Sequence, residues 1–276
     1  MSGPTARKRR TTVIELVDTH THLFEPQFDD DRASVVERAV AAGVTKLCLP
    51  AITEESLVPL LEMCEAYKGI CYPMIGLHPT ELPVNYKETL ERMHALLKSD
   101  SRFIAVGEVG IDLYWDDTRR SEQLDAFDIQ VEWAAETGLP LAIHSRNAFK
   151  ELYEVMDAHR SKGLTGVFHC FSGDEEEAKK LLSFDGFCLG IGGVLTYKKS
   201  QLPQALQNVP LERVLLETDS PYLAPVPFRG KRNESSYVPY IASFMASLYG
   251  CSVEEVAKVT SDNAHRIFPR LLNNGI

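Results

Sequence analysis

Apolar positions along this chain fall into short continuous runs separated by stretches of helical spacing. Val13, Ile14, Leu16 and Val17 form the first run. Asp29 to Asp31 then cap a helix carrying Ala33, Val36, Ala39 and Val40, stopped by Gly43. Further strand-like runs cover residues 44–50, 70–77, 103–108, 141–144, 164–169, 186–191 and 213–219. Helical spacing is predicted through Leu57 to Cys64, Tyr86 to Lys98, Arg119 to Thr137, Ala148 to Arg160, Glu175 to Leu182 and Leu202 to Gln207. It resumes from Val238 onward, with Ile241, Phe244, Leu248, Val253, Val256, Val259, Ile267 and Leu271 as its apolar positions. The strand runs are continuously apolar rather than alternating, as expected of a parallel sheet buried on both faces. Eight such units in 276 residues predict an α/β chain, a single-domain (β/α)8 TIM barrel over residues 13–276 behind a flexible basic tail over residues 1–12. A doubly wound open sheet is the competing arrangement, but no glycine-rich phosphate loop follows the first run.

The polar residues that end these runs change the picture. His20 and His22 follow the first run, His78 the third, Glu108 the fourth, His144 the fifth, His169 the sixth and Asp219 the eighth. Barrel enzymes build their active sites on the face where strands end. Two histidines at i and i+2 on extended backbone point the same way. Imidazole suits borderline divalent metals and leaves room for carboxylates and water. Each residue alone is open to a bland reading, a polar loop histidine or a rim cap. Together, six metal-capable side chains from five strands form a coherent ligand set: His20, His22, Glu108, His144, His169 and Asp219. We expect two divalent ions, one held by His20, His22, Glu108 and Asp219, the other by Glu108, His144 and His169, with Glu108 bridging. Two ions ~3.5–4 Å apart activate water and stabilise both oxygens of a displacement at phosphorus. Glu108 and Asp219 are the expected catalytic carboxylates, Asp219 orienting the water and accepting its proton.

Composition narrows the function classes. The chain is 44% hydrophobic and 25% charged, an ordinary globular balance. No apolar stretch reaches the ~18 residues of a membrane span. The cluster Arg7, Lys8, Arg9, Arg10 precedes no apolar leader core. A cytoplasmic location is therefore expected, or a nuclear one should the cluster serve as a targeting signal. The six cysteines lack C-x-x-C spacing and read as small buried hydrophobes in a reducing compartment. A net charge of −10 argues against a long basic groove for nucleic acid.

The motifs resemble a known family. Asp18-Thr19-His20-Thr21-His22, Gly76-Leu77-His78-Pro79, Gly107-Glu108-Val109-Gly110-Ile111-Asp112, His144-Ser145-Arg146, Phe168-His169-Cys170-Phe171-Ser172-Gly173 and Glu217-Thr218-Asp219-Ser220-Pro221-Tyr222-Leu223 are similar, in this order, to the TatD family of metal-dependent deoxyribonucleases. The resemblance runs to Asn263-Ala264-His265-Arg266-Ile267-Phe268. It implies a TIM barrel of the amidohydrolase superfamily that hydrolyses DNA, often as a 3′→5′ exonuclease, with Mg²⁺ or a related ion. It implies the same six ligands and places His78 and Asp112 near the substrate. The family's usual Arg-Asn-Glu-Pro reads Arg232-Asn233-Glu234-Ser235 here, which bears on the rigidity of that loop.

Substrate contacts are expected from rim residues. Arg146, Lys198, Lys199, Arg229, Lys231 and Arg232 lie in loops after strands, where a phosphate backbone meets the metals. Ser172 precedes a helix N-terminus, a seat for phosphate. Tyr114 and Trp115 either stack a terminal base or pack on the barrel. DNA, gripped at single-stranded ends, is the expected partner, and no obligate protein partner is evident. Zn²⁺ or Mn²⁺ suits four histidines, whereas the resemblance points to Mg²⁺. Two rivals remain open. One is an amidohydrolase acting on a C–N or ester bond, disfavoured because Glu108 stands where many such enzymes carry a carboxylated lysine. The other is a barrel that binds nucleic acid or a partner without catalysis.

Overall fold

The computed structural model describes residues 15–272. The expected basic tail and the Val13–Ile14 start of the first run lie outside them. Eight strands form one sheet: β1 (Leu16–Asp18), β2 (Val44–Pro50), β3 (Cys71–Ile75), β4 (Ala105–Asp112), β5 (Leu141–Arg146), β6 (Gly166–Phe168), β7 (Phe187–Ile191) and β8 (Val214–Leu216). Neighbours pair in parallel, in chain order. Helices α1 (Arg32–Ala41), α2 (Leu57–Ala66), α3 (Tyr86–Ser99), α4 (Arg120–Thr137), α5 (Phe149–Ala158), α6 (Glu175–Leu181) and α7 (Leu202–Ala205) connect them, and α8 (Val238–Tyr249) and α9 (Val253–Ile267) follow β8. The (β/α)8 reading is thus borne out.

The first and last strands are only three residues each, yet the sheet nearly closes. Thr19 N donates to Leu216 O (3.1 Å), Asp219 N to His20 O (2.9 Å) and His22 N to Ser220 O (2.8 Å). These bonds tie the segments that carry His20, His22 and Asp219 directly to each other.

Two apolar layers follow from the period of two along each strand. Val17, Cys48, Met74, Ala105, Ala142, Val167, Cys188 and Leu215, one from each strand, fill the interior together with Ala264, Ile267, Phe268 and Leu271 from the end of α9 and beyond. That plug closes the amino-terminal end of the barrel. The other layer packs helices on strands, with Phe28, Phe103, Phe127 and Phe187 among its fully buried side chains. Cys48, Cys64, Cys71 and Cys188 are buried thiols, while Cys170 and Cys251 are half-buried. Among the described residues no helix is long and apolar enough to cross a membrane.

One boundary departs from expectation in a way that matters. β4 was expected to end at Glu108, but it continues to Asp112 with a register irregularity between Val106 and Val109. Gly110, at φ +143°, makes the continuation possible, because a Cβ there would stand 1.9 Å from His144 O. Glu108 therefore sits mid-strand, aimed at the centre, and Asp112 becomes the strand end.

Candidate metal centre

His20 and His22 leave β1 with both rings buried. Their Nε2 atoms are 3.2 Å apart, and His20 Nε2 is 3.2 Å from Glu108 Oε2, with His22 Nε2 3.6 Å from the same oxygen. Asp219 Oδ1 completes this half, 3.4 Å from His22 Nε2 and 3.9 Å from His20 Nε2. The other Glu108 oxygen, Oε1, faces His144 Nδ1 at 3.1 Å, His78 Nε2 at 3.5 Å and His169 Nε2 at 3.7 Å. The structure thus gathers all six expected ligands into one cluster, with the two oxygens of Glu108 turned to opposite halves. His78 joins them: it groups with Glu108 and His144 at ligand-sharing distances, its Nδ1 anchored by Thr80 N at 3.2 Å.

Two residues stand in left-handed backbone conformations here, Asp219 (φ 56°) and Cys170 (φ 48°). Such a turn costs a non-glycine residue ~1–2 kcal/mol. Asp18, fully buried, holds one of them in place: its Oδ1 accepts from Thr218 N at 2.9 Å and its Oδ2 from Thr218 Oγ1 at 2.6 Å. The same carboxylate accepts from His20 N at 3.3 Å, so it braces both halves of the ligand set. Burial pushes Asp18 up to about 7.

Cys170 is braced by Glu217, whose Oε1 accepts from Cys170 N at 2.6 Å. Glu217 is fully buried, and the same oxygen lies 3.0 Å from His169 Nδ1, wide of the N–H direction. Its Oε2 has no hydrogen-bond partner and rests on Gly190, where a Cβ would come within 2.2 Å. Sequence reasoning assigned no role to Glu217 or Asp18. The available signal was a carboxylate directly after the apolar run Val214-Leu215-Leu216, where a buried charge needs a partner.

Electrostatics describe a centre built for positive charge. Burial presses on every ionisable group in it. Burial and then the His169 charge bring His20 down to about 4. Burial opposes His169 too, but Glu217 and then Asp219 outweigh it and raise it to about 10. For His144, hydrogen bonds to Asp112 and Glu108 overcome burial and raise it to about 8. Against its burial, Glu108 is held well below the usual carboxylate range by His20 and His78, and Asp219 is lowered by His169 and His22. Buried carboxylates of this kind require cationic partners. The carboxylates in turn favour the charged forms of His169, His144 and His22, all three raised above the usual imidazole value. Four imidazoles and two carboxylates converging on one buried volume are a donor set that fits divalent ions.

The expected substrate residues divide. Asp112 bonds His144 Nε2 through Oδ2 at 2.8 Å, while Oδ1 accepts from Tyr114 N and Trp115 N at 3.0 Å each. Arg146 and Ser172 line a cleft of about 550 Å³ that reaches His169. Arg232 is held elsewhere, in a bidentate pair with Asp31 at 2.8 Å and over the Phe28 ring. The helix after Ser172 is only seven residues long. Asp174 caps it, accepting from Glu177 N at 2.9 Å, and its first turn is acidic, which leaves little for a phosphate.

A barrel whose strand ends converge on His, Glu and Asp ligands defines a metal-dependent hydrolase. The model of the TatD-related DNase family matches residues 17–269, and this chain belongs to that family. The uncharacterized metal-dependent hydrolase YabD of Bacillus subtilis is 36% identical over 254 residues, spanning 92% of this chain and 98% of that protein. A protein of Pantoea vagans named 3′-5′ ssDNA/RNA exonuclease TatD is 32% identical over 262 residues, 92% of this chain and 99% of its own. Among solved structures, the TatD homologue YjjV of Escherichia coli superposes with a TM-score of 0.87 at 30% identity, covering 93% of this chain and 99% of that one.

Proposed function

We propose that this protein is a deoxyribonuclease that cleaves DNA phosphodiester bonds from a single-stranded 3′ end, with water as the nucleophile. One observation carries the reading: Glu108 divides its oxygens between His20 and His22 on one side and His144, His78 and His169 on the other. Divalent ions held on the two sides would share this carboxylate. The fit supports ligation by His20, His22, Glu108 and Asp219 on one side and by Glu108, His144 and His169 on the other, with His78 at the edge of the second group. Divalent ions held there would lower the pKa of a water and neutralise charge on the phosphoryl oxygens.

The remaining chemistry belongs to the side chains. Asp219 is 16% exposed at its side chain while Glu108 is 4% exposed, so Asp219 is the carboxylate that meets incoming water. It takes the water's proton as the oxygen attacks phosphorus, and the P–O bond to the preceding nucleotide breaks, its oxygen leaving with a proton from solvent. His78 and His144, 13% and 17% exposed, line the same mouth. The Pantoea relative's name and the family description support nucleic acid as substrate. The physiological ion is Mg²⁺ by family resemblance, with Mn²⁺ or Zn²⁺ also suited to the imidazoles.

The test is hydrolysis of 3′-labelled and 5′-labelled single-stranded DNA with Mg²⁺, Mn²⁺, Zn²⁺ or EDTA, beside a panel of amide and ester substrates. Metal-dependent loss from the 3′ end is expected. Amide or ester turnover without phosphodiester turnover would overturn the nuclease reading and leave a hydrolase of another bond.

A further inference from the structure

We propose that Tyr114, Trp115 and Arg146 form the subsite for the nucleotide beside the cleaved bond. The nucleobase stacks on Trp115, and the adjoining phosphate accepts from the Arg146 guanidinium. This rests on the nuclease reading above and specifies its substrate.

Tyr114 and Trp115 are not buried against the barrel. Their rings meet edge to face, centroids 5.0 Å apart at 85°, and remain 52% and 68% exposed. Two adjacent large aromatic residues standing in water form an uncovered apolar surface with a defined shape. The Arg146 guanidinium lies in the corner they make, 3.8 Å from the Tyr114 centroid and 5.2 Å from that of Trp115. Among the described residues no carboxylate pairs with Arg146, whereas Arg32, Arg92, Arg120 and Arg232 are each engaged by one. Stacking on the rings thus holds this cation in position and leaves its planar N–H fork free, the geometry that suits bidentate recognition of phosphate.

The corner is wired to the centre. Arg146 follows His144 by two residues on β5, so both side chains point to the same face about 6.6 Å apart along the strand. Asp112 bonds His144 with one oxygen and the backbone N–H groups of Tyr114 and Trp115 with the other. Arg146 and Tyr114 also line the cleft that opens beside His169. A base on Trp115 therefore places its phosphate between a free cation and the ligand cluster. Stacking reads every base and needs no long basic groove, which accords with the chain's net charge of −10.

Trp115 supplies its own reporter, because the chain's second tryptophan, Trp133, is buried at 3% exposure. The metal-loaded protein is titrated with a phosphorothioate-linked tetrathymidylate, which resists hydrolysis, and with an abasic oligomer of equal length. Quenching of the exposed-tryptophan emission by the thymidylate, and little by the abasic oligomer, is expected. Equal quenching by both, or none, overturns the subsite. In turnover on single-stranded DNA, Trp115→Ala raises KM about tenfold, with the loss falling on KM rather than kcat, and Trp115→Phe restores it. A KM equal to the wild type's in Trp115→Ala likewise overturns it. Should quenching be base-dependent while no metal supports DNA hydrolysis, the nuclease reading falls and nucleobase binding stands.

Discussion

Glu217 Oε1 lies 3.0 Å from His169 Nδ1, on the side of the ring opposite the Nε2 atom that faces Glu108 and Asp219. The negative charge of a carboxylate behind an imidazole strengthens the affinity of the ring's far nitrogen for a cation, proton or metal. Here the carboxylate is itself fixed by the Cys170 N–H and by the space over Gly190. Glu217→Gln keeps the shape and removes the charge. We expect it to weaken divalent-metal binding ~10–100-fold, read by calorimetric titration, with the circular dichroism of the fold unchanged. Affinity equal to the wild type's would show that Glu217 serves only the Cys170 turn.

Glu108 is the residue both halves share, so its removal separates a bridging role from a peripheral one. Glu108→Ala is expected to bring hydrolysis to the level seen with EDTA and to reduce bound metal, measured by elemental analysis, below the wild-type stoichiometry. Full stoichiometry with lost activity would make Glu108 an acid–base group and not a bridge.

How far the sequence disclosed all this differs by element. The eight strand–helix units were legible because strands buried on both faces are continuously apolar, and His20 and His22 were legible because period two places them side by side. Glu108 stands out in the sequence as a polar residue closing an apolar run, whereas the structure places it within β4. The strand-like run is read over 103–108, but Gly110 lets β4 run closely alongside β5 as far as Asp112. Glu217 went unassigned because its partners, His169 and Cys170, are nearly fifty residues away in the chain and no local pattern links them. Arg232 was grouped with the phosphate contacts on charge and loop position alone, and its pairing with Asp31 depends on how the loop before α1 folds back.

Gly110 makes a test that connects backbone to chemistry. A side chain there meets the backbone of His144, with its Cβ 1.9 Å from the carbonyl oxygen. Gly110→Ala must part β4 from β5 or shift both, in addition to adopting φ +143°. Destabilisation of about 3 kcal/mol or more in urea unfolding is expected. Metal affinity should fall as well, because Glu108 and His144 lie on the two strands that move apart. Normal stability in this variant would mean that the Gly110–His144 approach is wider than described.

The pH dependence of metal uptake follows from the protons that hold the place of the ions. His144, raised to about 8, and His169, raised to about 10, are both protonated in the metal-free protein at neutral pH. A metal binds only the deprotonated nitrogen, so each of these histidines must lose its proton on binding. The sign is fixed: lowering the pH strengthens the competing proton and weakens the metal, and raising it does the reverse. While both remain protonated before binding, affinity should rise about tenfold per pH unit for each proton displaced, with the His144 contribution levelling off above about pH 8. Calorimetry in buffers of different ionisation enthalpy, repeated at about pH 6, 7 and 8, measures both the affinity and the protons released. Proton release, with affinity rising from about pH 6 to pH 8, is expected. Metal binding that releases no protons and does not change across this range would mean that His144 and His169 are not ligands, and the two-ion centre would reduce to the half held by His20, His22, Glu108 and Asp219.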